Sequence, residues 1–287
     1  MLQLNTCLLA ASLALASFVP ASHASTNDEL LNQAIASRSA EDRARDDARH
    51  PAQTLTFFEV EPGTTVVEAL PGGGWYTSIL ANYLGGTGTL YGINYNDNMW
   101  NMFSFATEEW VAGRIAATGK FPALVAGFTD NGITAEGFTF DTVPPAAAGS
   151  VDRVLLIRAL HNLNRFESKA GTRTQALSAV HSMLKDDGLV GVVQHRAPET
   201  ASDEWADGSR GYLKQSAVIA MFEAAGFQLV SKSEINANPK DKPGADDMVW
   251  RLPPSLRSSK EDPAVREAML AIGESDRMTL LFRKAMK

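Results

Sequence analysis

Cysteine is almost missing from this chain: Cys7 is the only one in 287 residues. An internal disulfide is therefore impossible, and past that position so are a Cys-based zinc site and a Cys nucleophile. Charge is missing from residues 1–24, which hold no Asp, Glu, Lys or Arg and carry an apolar run from Cys7 to Val19. That run is shorter than the ~20 apolar residues that span a bilayer. It ends at Pro20, and Ser22-His23-Ala24 puts small residues where a signal peptidase reads them. Residues 1–24 are thus predicted to be a leader cleaved before Ser25, and the protein to be exported to the periplasm. No positive residue precedes the run, which leaves an uncleaved first helix as the alternative. No second long apolar run follows, so no stable membrane insertion is expected. Internal repeats and low-complexity tracts are also missing, and residues 25–287 read as one domain.

Acidic side chains outnumber basic ones, 33 to 26, giving a formal net charge of −7. Such a chain repels a phosphate polyanion on average, which excludes nucleic acid and leaves a small-molecule substrate as the expected partner. The 5 histidines are dispersed without a His-x-x-x-His pair or a carboxylate cluster, so no metal site is expected.

What is present is an alternation of strand and helix patterns. Residues 39–60 form an N-terminal helical segment. Within it Ser39-Ala40-Glu41-Asp42 has the form of a capping box, and the charged helix it opens, with Asp46, Asp47 and Arg49, should stop at Pro51. Strands are predicted at Thr64–Leu70, Thr89–Asn94, Ala123–Gly127, Val151–Arg158, Leu189–His195, Phe227–Ser233 and Met278–Arg283. Helices are predicted at 76–84, 98–117, 173–184 and 216–225. Strands separated by helices imply right-handed crossovers and a doubly wound, mostly parallel α/β sheet. About 45 residues separate the last two strands, far beyond a hairpin loop, so Glu234–Arg277 is expected to be a cap over a site.

Glu68-Ala69-Leu70-Pro71-Gly72-Gly73-Gly74-Trp75-Tyr76 falls between a predicted strand and a predicted helix. Backbone without side chains can approach a ligand there, and the helix N-terminus offers free N–H groups to an anion. A dinucleotide fingerprint would carry Gly or Ala at position 77, where this chain has Thr77. A purely structural tight turn is the plain alternative.

With Glu68 as the acid at a strand end and Gly72 and Gly74 as the glycines, the segment resembles the first motif of class I S-adenosylmethionine-dependent methyltransferases. Asp152-Arg153-Val154-Leu155-Leu156 with Arg158-Ala159-Leu160-His161-Asn162, Leu184-Lys185-Asp186-Asp187-Gly188-Leu189 and Glu223-Ala224-Ala225-Gly226-Phe227 are similar to later motifs of that family, in order. Phe57-Phe58, Pro71 to Thr77, His195-Arg196-Ala197-Pro198, Asn236-Ala237-Asn238-Pro239 and Glu274-Ser275-Asp276-Arg277-Met278 resemble a subgroup of exported bacterial predicted methyltransferases. The likeness runs from Ser39 to Lys287. It implies a seven-stranded Rossmann-like sheet with an antiparallel last strand. It also implies S-adenosylmethionine as cofactor, held by Glu68, Pro71, Gly72, Gly73, Gly74, Tyr76, Asn94 and Arg158. Glu68 would face the amino group of the methionine part, and the N–H groups of residues 72–74 its carboxylate. Two positions depart from the family. Leu70 replaces the first glycine, which implies a slightly different loop path, and Asn94 replaces the acid that would hold the ribose.

Ligands of a doubly wound sheet sit beyond the carboxyl ends of its strands. Such a site would gather His161, Asn162, His195 and Arg196 with the cap residues Glu274, Asp276 and Arg277. His161 is read as general base or as pocket wall. His195 with Arg196 is read as touching substrate, an ion pair between Arg196 and a cap acid being the alternative. Trp75, Tyr76, Trp205, Tyr212 and Trp250 are candidates to stack an adenine or an aromatic acceptor, or to be core. The expected function is methyl transfer to a small molecule. A non-catalytic binding protein of the same fold and a dinucleotide-dependent oxidoreductase are the alternatives.

Overall fold

The structure, a computed structural model, describes residues 22–259 and 261–286. The expected leader lies outside the described residues except for its last three, which begin a helix over Ser22–Ala36. Among the described residues no helix is long and apolar enough to cross a membrane.

Among the described residues eight strands form: β1 Thr65–Ala69, β2 Thr89–Asn94, β3 Thr134–Thr139, β4 Val151–Ile157, β5 Leu184–Ala197, β6 Leu213–Lys214, β7 Phe227–Ser233 and β8 Arg277–Lys284. The sheet runs β3-β2-β1-β4-β5-β8-β7, with the short β6 paired to β5. Neighbours are parallel from β3 through β5, and β8 is antiparallel to both β5 and β7. The sheet is thus mixed and mostly parallel, with its last strand reversed. Its inner strands are largely apolar on both sides because both faces are covered, whereas the edge strands β3 and β7 are partly exposed. Val67, Val154, Leu156, Leu280 and Phe282 enter one core with the helices Thr172–Met183 and Gln215–Ala224, while Val66, Leu155 and Leu281 enter the other with the helix Thr77–Tyr83. Successive residues alternate between the two, as the pleat requires.

Three expectations are corrected. Ala123–Gly127 is part of a helix, Phe121–Ala126, with Pro122 in its first turn, and the third strand is β3. A short apolar run has no periodicity to tell strand from buried helix, and Pro in the first helical turn favours the latter. The helix expected over 98–117 is broken into a 3₁₀ turn at Asp97–Met102 and a helix at Glu108–Gly119. Thr107 caps the second piece by accepting from Trp110 N at 3.2 Å, which ends the first piece and loops out Ser104 and Phe105. The single charged helix expected from Ser39 to Pro51 is two short ones, Ala40–Arg43 and Asp46–Arg49, and Pro51, which follows the second, begins a further helix, Pro51–Phe57. Ser39 does cap its helix, accepting from Asp42 N at 3.1 Å.

The order of strands reverses at β1, which has β2 and β3 on one side and β4 and β5 on the other. The crevice beyond β1 and β4 is the topological switch point at which ligands of such sheets bind.

Candidate functional site

A cavity of about 530 Å³ opens at that switch point, within the ~300–1,000 Å³ usual for small-ligand sites. Strand ends supply its floor: Leu70, Pro71 and Gly72 after β1, Asn94 and Tyr95 from β2, Ile157 and Arg158 from β4, and His195 from β5. The helix Leu160–Arg165 adds His161, Asn162 and Arg165. Met248, Trp250 and Arg257 of the long segment between β7 and β8 reach its rim.

The loop after β1 turns tightly. Leu70 N donates to Ile93 O at 2.8 Å, as the last link to β2, and Gly74 N donates to Pro71 O at 2.9 Å. Leu70, Gly72 and Gly74 all have positive φ, 57°, 58° and 86°. Leu70, at the position of the first glycine, itself occupies the left-handed region, at a cost of ~1–2 kcal/mol that a glycine would not incur. Gly73 has no atom within 4 Å of the place a Cβ would take, whereas a Cβ on Gly74 would meet the Phe128 ring at 2.7 Å.

The residues expected to hold a cofactor separate into two groups. Pro71, Gly72, Asn94 and Arg158 line the cavity. Glu68, Gly73, Gly74 and Tyr76 are not part of its wall. The Glu68 carboxylate is buried and accepts from Thr77 Oγ1 at 2.6 Å. Burial raises it to about 7, the two hydrogen bonds from Thr77 notwithstanding. Position 77, where a dinucleotide loop would have its small residue, thus carries the partner of Glu68. Tyr76 is buried under the N-terminal helices, its hydroxyl directed to Arg49 O at 3.4 Å. Asn94 gives its Nδ2 to Thr118 Oγ1 at 3.0 Å, and its Oδ1 has no partner among the described residues.

His161 and His195 stand together on the wall, ring centroids 5.7 Å apart. Burial is the main force lowering both. His161 falls to about 4, helped by Arg158, and His195 falls well below its usual value, helped by His161 and then Arg158. Both rings are therefore neutral near pH 7. His195 Nδ1 lies 2.6 Å from Ser275 Oγ, which leaves Nε2 as its free ring nitrogen. His161 Nδ1 and Asn162 Oδ1 are buried and have no hydrogen-bond partner.

Arg196, Glu274, Asp276 and Arg277, expected beside these groups, are placed away from the cavity wall. Consecutive residues of β5 point to opposite faces, so Arg196 cannot join His195. Its guanidinium forks onto Asp276 at 2.9 and 3.0 Å and onto Glu234 at 2.9 and 2.7 Å, clamping the start and end of the long segment to β5. Glu274 accepts from Arg45 at 2.7 Å, Arg49 at 3.2 Å and Arg277 at 3.0 Å, tying that segment to the N-terminal helices. Of the aromatic candidates Trp250 alone lines the cavity. Trp75 donates to Asp42 O beneath Arg38 and Arg49, and Trp205 stacks on Tyr212 outside it.

Several lining residues escaped the sequence reading: Trp100, Phe103, Phe105, Trp110, Arg114, Arg165 and Arg257. The aromatic crowding from Trp100 to Trp110 directly after a strand, with Arg114 one helical turn further on, was the signal available.

Strand order, reversed last strand and a glycine turn at the switch point together define the α/β sheet of methyltransferase type. No protein-family model matches the chain, and neither does any curated protein. Among solved structures it is similar to the 4+2 cyclase SpnF, with TM-score 0.51 and 13% identity over 84% of this chain and 81% of that one. A SAM dependent methyltransferase from Aquifex aeolicus has TM-score 0.44 and 15% identity over 72% and 93%. The Burkholderia thailandensis 1,6-didemethyltoxoflavin-N1-methyltransferase, with bound 1,6-didemethyltoxoflavin and S-adenosylhomocysteine, has TM-score 0.46 and 12% identity over 97% and 94%. At 13% identity the likeness to SpnF shows the fold alone.

Proposed function

We propose that the protein binds S-adenosylmethionine in this cavity and directs its methyl group to a small-molecule acceptor. The observation that carries the reading is the turn at Leu70–Gly72, in which Leu70 and Gly72 are left-handed and which forms cavity floor at the switch point. The residues present fit the nucleoside end of the cofactor. Gly72 brings backbone without a side chain to the cavity floor, and Asn94 Oδ1 is free to accept from a ribose hydroxyl. Bound there, the cofactor would supply a methyl group on a sulfonium. The chain's own contribution is alignment and exclusion of water, and orientation of this kind is worth up to ~7–11 kcal/mol. His195 Nε2 and the neutral ring of His161 are placed to take a proton from an acceptor that carries one. The test is calorimetric titration of the purified protein with S-adenosylmethionine and S-adenosylhomocysteine. Saturable binding, weakened by Asn94→Leu, is expected; absence of heat with both at millimolar ligand refutes the reading.

A second reading, ligand binding without catalysis, is favoured by one observation. No Asp or Glu lines the cavity, and Glu68, which would meet the cofactor's ammonium group, is tied to Thr77. Consumption of the cofactor with any acceptor removes it. We also take the chain to be exported, on the strength of its uncharged apolar start; the purified product of secreting cells should then begin at Ser25.

A further inference from the structure

The cavity wall carries four guanidiniums, Arg114, Arg158, Arg165 and Arg257, and no carboxylate, in a chain whose net charge is −7. Arg158 is the innermost of them in chemical terms. It follows β4 directly, in the left-handed conformation at φ 59°, and its guanidinium has neither a hydrogen bond nor an ion pair among the described residues. The carboxylate whose charge reaches it, Glu274, is already divided among Arg45, Arg49 and Arg277. That cluster is short of acceptors: Arg49 Nη1 and Arg277 Nε are buried with none. Arg158 is therefore the surplus cation, and its open side is the cavity.

The other three are held on ring faces. Arg114 lies 5.3 Å from the centroid of Trp110, Arg165 5.9 Å from Phe103 and Arg257 5.9 Å from Trp250. Such stacking orients a guanidinium and leaves its N–H edge free to donate. A concave site walled by low-dielectric rings and lined by one sign of charge concentrates ligands of the opposite sign. Bidentate pairing to carboxylate or phosphate is what a guanidinium fork does best.

We infer that the acceptor is a planar small molecule bearing an anionic group, carboxylate or phosphate, which Arg158 grips while the ring lies among Phe103, Trp110 and Trp250. This rests on the proposed function only in naming the ligand an acceptor; the anion site stands whether or not methyl transfer occurs.

The experiment is calorimetric titration of the purified protein with 4-hydroxybenzoate, phenyl phosphate and, as the neutral analogue, 4-hydroxybenzyl alcohol. At least one anion should bind about tenfold or more tightly than the alcohol, and which of the two does so names the group. Arg158→Gln should weaken that anion by about tenfold or more without lowering the melting temperature, since it removes a like charge from a cationic cluster. Should that variant fail to fold, Arg165→Gln, on a partly exposed helix end, should weaken the anion by a smaller factor. Equal binding of the alcohol, or unchanged anion binding in the variant that folds, overturns the inference. Repeating the titrations with saturating S-adenosylhomocysteine separates the two proposals. Anion binding without binding of S-adenosylhomocysteine keeps this inference and sinks methyl transfer, whereas S-adenosylhomocysteine binding with no anion preference does the reverse. Displacement of the anion by S-adenosylhomocysteine assigns Arg158 to the cofactor's carboxylate and overturns the inference.

Discussion

Thr77 donates its hydroxyl to the Glu68 carboxylate at 2.6 Å, beneath the turn that lines the cavity. The pair fastens the first helix after β1 to the strand it leaves, and it determines how stability responds to pH. Burial raises Glu68 from 4.5 to about 7 in the folded protein. Between those values the folded state holds a proton that the unfolded chain has lost. The group's contribution is thus fully present below pH 4.5 and lost as pH rises through about 7. Glu68→Gln keeps an acceptor for Thr77 and cannot ionise. Relative to wild type the variant should gain on the order of 3 kcal/mol between pH 4.5 and pH 8. Urea unfolding at both pH values measures this, and parallel wild-type and variant curves would contradict it.

His161 acts with the opposite sign. Its folded value is lowered from 6.5 to about 4, so the unfolded chain takes up the proton first on acidification. Its stabilising contribution is present above pH 6.5 and is lost as pH falls toward 4, by on the order of 3 kcal/mol. His195, also lowered, adds to the same trend. Two histidines against one carboxyl make the wild-type protein acid-labile over this window. The slope should flatten in His161→Gln and steepen in Glu68→Gln. A His161→Gln protein with the same acid midpoint as wild type would show that the ring titrates freely.

The glycines of the loop separate ligand contact from folding. A methyl at Gly74 meets the Phe128 ring at 2.7 Å on a backbone with φ 86°, while one at Gly73 meets nothing within 4 Å. Gly74→Ala is expected to destabilise by ~1–3 kcal/mol through overpacking and backbone strain. Gly73→Ala should melt within a degree or two of wild type. Gly72 is the loop glycine that lines the cavity, so Gly72→Ala should weaken S-adenosylhomocysteine severalfold. Undiminished binding in Gly72→Ala would remove the loop from the ligand contact.

The sheet was legible because its inner strands are buried on two faces and so read as continuous β-branched and apolar runs; Thr89–Asn94 coincides with its predicted limits, as does the largely exposed edge strand Phe227–Ser233. Ala123–Gly127 misled because a short apolar run carries no period, and β3, with Glu136 and Gly137 in its middle, lacks a strand's composition. For the site, chain position relative to a strand end was informative for Leu70 to Gly72, Asn94, Arg158, His161 and His195. It was uninformative for Arg114, Arg165 and Arg257, whose presence in the wall depends on helix phase and on the fold of the long segment. Arg196 and Glu274 were grouped with the histidines because sequence proximity says nothing of which face a side chain takes. Their forks onto Glu234, Asp276, Arg45 and Arg49 arise from contacts between distant parts of the chain.

Three guanidiniums converge on the Glu274 carboxylate, which is only 8% exposed. Burial alone would raise its carboxyl, but Arg49, Arg277 and Arg45 together hold it below the usual carboxylate range. Glu274→Gln preserves shape while leaving Arg49 and Arg277, both nearly enclosed, without a counter-charge. Breaking one side of a buried pair typically costs ~3–5 kcal/mol, which for a domain of this size lowers the melting temperature by roughly 6–20 °C. Because the same residues link the N-terminal helices to the segment ahead of β8, trypsin should cut the variant there well before the sheet unfolds. A variant that melts within 2 °C of wild type, as ~1 kcal/mol or less would allow, would mean that solvent already neutralises the cluster.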